Sequence, residues 1–215
     1  MRTATFKQRK TSPGLRSQDQ ATGFTLIELL VVLAIVGLLA VLAMSAVQPM
    51  SESYGITNAS LMIRDTLGNA KQLAMSDNQS VEVRFCRSTE AGTALSTYSW
   101  LQVCENQPDG TRKVASRPAR LPTAICIASN SGLSSVMILP ELTPASSDPG
   151  LSTIGKQYAY RKVTFLPSGA TDLAPASIWF LTTVPQRSTA ATILPRNYAT
   201  IQIDPVNGLT VLYRP

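Results

Sequence analysis

Histidine is absent from the 215 residues, and cysteine occurs only three times, at Cys86, Cys104 and Cys126. Without imidazole there is no His-dependent catalytic triad, and a zinc site would need an unusual ligand set. The cysteines stand 18 and 22 residues apart, unlike a C-x-x-C pair, so neither a metal site nor a cofactor is expected. Serines are numerous, yet neither G-x-S-x-G nor S-x-x-K occurs and no acid pair has a suggestive spacing. These absences argue against an enzyme. Charge is sparse, at 15 % of residues, and no lysine or arginine falls within residues 48–63.

One apolar run is present in its place. Of residues 24–47, only Thr25, Glu28 and Ser45 carry polar side chains. At about 1.5 Å per residue a helix of that length reaches roughly 36 Å, enough to cross a hydrocarbon core of about 30 Å. Residues 1–23 hold Arg2, Lys7, Arg9, Lys10 and Arg16 against Asp19, a net of +4. Positive charge beside a span stays on the cytoplasmic side, so the N-terminus is predicted inside and the C-terminal part across the membrane. The net charge of +6 belongs mostly to this leader; the rest holds 14 cations against 12 acids. That balance alone does not indicate a nucleic-acid binder.

The residues leave three readings of the run: a secretory signal cut past Ala43 and Ser45, a plain signal anchor, or a processed assembly helix. Thr25-x-x-Glu28 fits a capping box, and the carboxylate suits the positive end of the helix dipole. Glu28 then lies about 6 Å along the axis from Phe24, near the headgroups. An acid kept inside a dry bundle of such helices would need a cationic partner.

Beyond Pro49 the period is helical: Ile56, Ala59, Ile63, Leu67, Ala70 and Ala74 recur every three or four residues, and Asp77-Asn78 ends the pattern. Gly55 weakens its start. Val81, Val83 and Phe85 then alternate with Glu82 and Arg84, predicting a half-buried strand. Further strands are predicted over 98–104, 112–116, 124–128, 136–139, 160–166, 178–182, 200–204 and 209–213. Asp109-Gly110 marks one hairpin, and Asn207-Gly208 a second with a type I′ turn. Residues 140–155 and 183–197, rich in Pro, Ser, Gly and Thr, are expected to be exposed connections. In an oxidising compartment Cys86 and Cys104, at the ends of neighbouring strands, are the expected disulfide; the alternative is three buried small hydrophobes. Arg112, Lys113, Arg117 and Arg120, with no acid between Asp109 and Glu141, are the candidate nucleic-acid contacts, supported by Arg187, Arg196 and Arg214.

The stretch GFTLIELL at residues 23–30 resembles the processing and assembly motif of type IV prepilins and type II secretion pseudopilins. VEVRF and VTFLPSGATD resemble the minor H-type (GspH/FimT-like) members, and the ending NYATIQIDPVNGLTVLYRP is similar to the D-type protein of the Verru_Chthon cassette. The resemblance implies an α+β, type IV pilin-like fold with a long N-terminal helix packed on an antiparallel sheet. The expected division is a cleaved leader (1–23), a transmembrane assembly helix (24–47), its amphipathic continuation (48–78) and a β-rich extracytoplasmic domain (79–215). It further implies cleavage by a prepilin peptidase after Gly23, methylation of the new amino group on Phe24, and pairing of Glu28 with such an amine on a neighbouring subunit. Expected partners are that peptidase/methyltransferase, other pilin or pseudopilin subunits, inner-membrane lipid and an assembly platform. The expected location is the bacterial inner membrane and then a filament. A proline common near the position of Ser45 is replaced here by Pro49. The role implied is a minor filament subunit, with a DNA-uptake pilin as the alternative and an anchored or secreted enzyme behind it.

Overall fold

The computed structural model describes residues 24–89, 97–151, 155–189 and 191–215, with backbone only for 42–50 of the first helix. The leader, Gly23 included, lies outside the described residues. The chain falls into two compact units, 1–45 and 46–215. Helix α1 (Leu26–Asp77) contributes to both and passes Pro49.

In the second unit, the stripe read from the sequence is the buried one: Ile56, Ala59, Ile63, Leu67, Ala70 and Ala74 are all fully enclosed. Three- and four-residue spacing places these side chains on one face, and small alanines between larger aliphatics let a sheet approach closely. Gly55 does not break the helix. It admits the Ile125 side chain, whose Cγ1 would lie 3.1 Å from a Cβ at that position. Asn78, at φ +53°, ends α1 in the left-handed conformation.

Eight strands follow: β1 (Val81–Ser88), β2 (Trp100–Asn106), β3 (Arg112–Arg120), β4 (Ile125–Ile127), β5 (Tyr158–Phe165), β6 (Trp179–Pro185), β7 (Ala199–Ile203) and β8 (Thr210–Tyr213). They form two four-stranded antiparallel sheets, in the orders β3-β2-β1-β5 and β4-β6-β7-β8. The fold is therefore α+β, with a helix on antiparallel sheets. One core joins the α1 stripe to Val83 and Phe85, Leu101, Ile127, Val163, Leu181 and Ile201. Tyr98, expected to open a strand, instead bridges to Ile127 across the two sheets.

Four expectations are corrected. Residues 135–138 form a 3₁₀ helix, not a strand. β4 covers β6 only over Thr183–Pro185. The hydroxyls of Ser134 and Ser135 accept from the uncovered amides of Thr182 (3.0 Å) and Phe180 (2.8 Å), doing with side chains what a strand would do with backbone. The Asn207-Gly208 hairpin is present, but only Gly208 has positive φ, so the turn is not type I′. The Asp204 carbonyl accepts from Gly208 N at 2.8 Å and the Leu209 carbonyl from Asp204 N at 2.8 Å, which closes a longer loop. β1 is not half-buried, because Glu82, Arg84 and Cys86 on its second face are as enclosed as its apolar side. Segment 140–155 is not merely an exposed connection. Leu142 pairs with Tyr160, while Asp148 and Leu151 are buried, so its described residues form a strap across the β1-β5 face.

Candidate functional site

The N-terminal motif begins with a helix start that the sequence specifies. Thr25 Oγ1 accepts from Glu28 N at 3.3 Å and the Thr25 carbonyl from Leu29 N at 3.1 Å. The first serves one of the donors a helix start leaves unpaired, and the second is the first regular bond of the helix. Phe24 is exposed ahead of it. From Leu26 to Val41 every apolar side chain larger than alanine stands 49 to 85 % exposed, on all sides of α1. A helix apolar all round belongs in a protein core or a membrane. Leaving such residues in water forfeits roughly 1.5–3 kcal/mol for each large side chain. The described apolar side chains stop at Val41, and among the described residues no helix is long and apolar enough to cross a membrane.

A second constellation lies under the strap, on the face of β1 turned away from α1. In an antiparallel sheet, alternate residues of neighbouring strands share a face. The pairs Arg84 with Gln102 and Lys162, and Glu82 with Cys104 and Thr164, thus gather there. Arg84 is 0 % exposed, Glu82 1 % and Asp148 3 %. The Glu82 carboxylate accepts from Arg84 Nε and Nη2, both at 3.1 Å, from Lys162 Nζ at 2.5 Å and from Arg112 Nε at 3.4 Å. Asp148 Oδ1 accepts from Arg112 Nη1 at 3.1 Å, and its Oδ2 takes the Ala145 amide at 3.0 Å. Arg84 completes its shell with the Tyr160 ring, 4.3 Å from its guanidinium carbon.

Burial alone would raise the Glu82 pKa, but the Lys162 ammonium, then Arg84 and Arg112, hold it below the ordinary carboxylate range. Asp148 shows the same contest: burial pushes up, while the Ala145 amide, Arg84 and Arg112 win and lower it. The Glu141 carboxyl falls to about 2, chiefly through its hydrogen bond from Arg87. Every carboxylate here is held ionised by cations, which suits a structural tie and not proton transfer.

The expected disulfide is absent. Cys104 pairs with Glu82 and Cys86 with Trp100, so the two thiols lie four register positions apart. That is about 13 Å along the strand, well beyond the roughly 7 Å limit between bridged Cα atoms. All three cysteines are free and buried. Burial pushes the Cys86 and Cys126 thiols up and Cys104 to about 11. Among the described residues no group of His, Cys, Asp and Glu could hold a metal ion.

The four candidate nucleic-acid contacts share β3 but not one role. Arg112 is engaged by Glu82 and Asp148, whereas Lys113, Arg117 and Arg120 are exposed, Arg120 lying 5.6 Å from the Trp100 ring. Sequence reasoning missed the Glu82-Arg84-Asp148 cluster. Its one local sign was the pair of opposite charges at i and i+2 in β1; Asp148, 64 residues from Arg84, gave none.

Residues 20–44 match the prokaryotic N-terminal methylation motif. None of the curated protein sequences compared matches the chain. Two structures of the minor pseudopilin EpsH from the type II secretion system of Vibrio cholerae are similar at 12 % identity. They cover 74 and 76 % of this chain and 98 and 96 % of theirs, with TM-scores of 0.41 and 0.44. The type IV minor pilin FimU of Pseudomonas aeruginosa PAO1 is similar at 12 % identity, covering 77 % of this chain and 92 % of its own, with a TM-score of 0.42. The chain thus carries a prepilin-type motif at its N-terminal end.

Proposed function

We propose that this prepilin-type chain is a minor subunit of a type IV pilus-like or type II secretion filament, assembled through its N-terminal helix and without catalysis of its own. The observation that carries the reading is the methylation motif set at the head of α1, whose apolar side chains over residues 26–41 are uncovered on every side. Such a surface needs either lipid or other helices of its kind, and a filament subunit meets both in turn.

In this scheme residues 24–47 hold the precursor in the inner membrane with its basic leader in the cytoplasm. A prepilin peptidase removes the leader after Gly23 and the new Phe24 amine is methylated. Extracting the helix from lipid into a filament puts Glu28 in a dry bundle, where an unpaired carboxylate is costly. A neighbour's Phe24 amine, one helical turn from that neighbour's own Glu28, neutralises it and sets the stagger between subunits. The globular unit faces outward, toward adjacent subunits or cargo.

The N-terminal mass of the mature protein tests this. A chain starting at methylated Phe24 is expected. A start at Ala46 would make it a secreted domain, and an intact leader a simple anchored protein; either would overturn the filament reading.

A further inference from the structure

Each sheet has two outer edges, and among the described residues three of the four are closed. β5 is met along its free side by Leu142 and Thr171, and β4 by Tyr98. β3 carries Lys113, Arg117 and Pro118 and shifts register twice against β2. Charges, proline and bulges are the devices by which an edge strand avoids pairing with another chain. β8 has none of them: residues 209–213, Leu-Thr-Val-Leu-Tyr, are uncharged. Asp204 N donates to the Leu209 carbonyl at 2.8 Å, so Leu209, Val211 and Tyr213 turn their backbone groups toward β7. By alternation the N–H and C=O of Thr210 and Leu212 point the other way. Among the described residues nothing donates to them or accepts from them. On the face turned from the core, Leu209, Val211 and Tyr213 stand 48 to 55 % exposed. With Ile178, Gln202 and Pro205 they line a hollow of about 300 Å³.

We infer that β8 pairs antiparallel with β8 of a second copy of this chain, about a twofold axis at Val211. An isologous contact needs a surface complementary to itself, and this edge is one. With the axis at Val211, Thr210 lies opposite the partner's Leu212 and Leu212 opposite the partner's Thr210. These are the residues whose backbone groups face outward, so each pair exchanges two hydrogen bonds and all the open groups are used. Leu209 then meets the partner's Tyr213 and Val211 the partner's Val211, so every cross-strand pair is uncharged. The partner's Tyr213 stands against Leu209, in the wall of the hollow, and its ring supplies the apolar cover that the hollow lacks. Moving the axis to Leu212 would set Thr210 against the partner's Arg214, a residue whose guanidinium is held by Ser53 and Asn197 of its own chain. The pairing joins two four-stranded sheets into one of eight. It stands apart from the filament reading, and either can fail alone, since the mature N-terminus reports only the latter.

The test uses the full chain in detergent micelles, with thiol cross-linking and sedimentation. The three native cysteines are buried, so under mild oxidation only an introduced thiol reports. Facing residues of a pair without hydrogen bonds lie about 4.5 Å apart at Cα, within reach of a disulfide. Val211→Cys should therefore give a covalent dimer. Leu209→Cys alone should not, because two such thiols lie four register positions apart, but it should link to Tyr213→Cys when the two chains are mixed. In sedimentation the unsubstituted chain should be a dimer, and Val211→Lys, which sets like charges face to face, should weaken that dimer by about tenfold. Resistance of its buried thiols to maleimide shows that the lysine variant is folded. A monomeric unsubstituted chain, no cross-link from Val211→Cys, equal linking by Leu209→Cys, or a dimer unmoved by Val211→Lys each overturns the pairing.

Discussion

Arg84 is the most enclosed charge among the described residues of the globular unit, and its environment explains why it is tolerated. An ion taken out of water loses several kcal/mol of hydration, recovered only when its donors are all engaged. Glu82 takes Nε and Nη2, Asp148 lies 3.5 Å from Nη1, and the Tyr160 ring covers one face. Glu82→Gln should therefore destabilise the folded chain by about 3–5 kcal/mol in urea unfolding, because it strands Arg84 and weakens Lys162 together. The sign of the pH effect follows from the lowered carboxylates. The unfolded chain binds protons at Glu82, Asp148 and Glu141 before the folded chain does. Stability from these groups is full above the ordinary carboxylate range and is lost as pH falls toward about 2, where Glu141 titrates. Acid titration of the unfolding free energy should show this slope, and Glu82→Gln should flatten it. The thiols give an independent check. Buried and held protonated, Cys86, Cys104 and Cys126 should resist a maleimide at neutral pH in the folded chain and react once denatured, with the same mass under reducing and non-reducing conditions.

At the level of elements, the described part of the strap over β1 and β5 is held by one backbone pairing and by side chains. Leu142 exchanges two backbone hydrogen bonds of 2.8 Å with Tyr160, Leu151 packs with Cys86 and Tyr158, and Asp148 supplies the ionic tie. Tyr158 adds its hydroxyl to the Pro149 carbonyl at 2.8 Å. A segment fastened at discrete points opens locally before the sheet beneath it does. Asp148→Ala should speed amide exchange over residues 142–151 while leaving β1 and β2 protected. Uniform loss of protection would mean the strap and sheet unfold as one. β3 is an edge strand interrupted by register shifts against β2 and bearing Lys113, Arg117 and Pro118, features that discourage another strand from adding there.

For the molecule as a whole, the two units have opposite needs. The globular unit satisfies its own core, joining one helix stripe to two sheets. The N-terminal unit leaves its apolar surface to be covered by something else. Glu28 sits in that unit, and two roles for it can be separated. Glu28→Leu should still allow leader removal, seen as the same mature N-terminus, yet abolish incorporation into filaments measured by sedimentation or microscopy. Normal incorporation would reduce the residue to a helix cap.

Much of this was written in the local sequence. The α1 stripe, seven of the eight further strands expected after β1, both hairpins and the helix start at Thr25 follow from the period of apolar residues and from turn chemistry, which act over a few neighbours. The division into two sheets, the 3₁₀ turn at Ser135–Ile138, the burial of the second face of β1 and the separation of Cys86 from Cys104 did not. Each depends on which distant segment arrives: Ser134 and Ser135 at the open amides of β6, or Asp148 over Arg84. The sequence by itself determined the apolar run, its capped acidic start and the helix-then-strands order, since these are short-range properties of the chain. Only the tertiary structure decided that Arg84 is a buried tie and Arg112 its partner instead of a free cation, because register and the path of a long connection are set by packing between residues far apart.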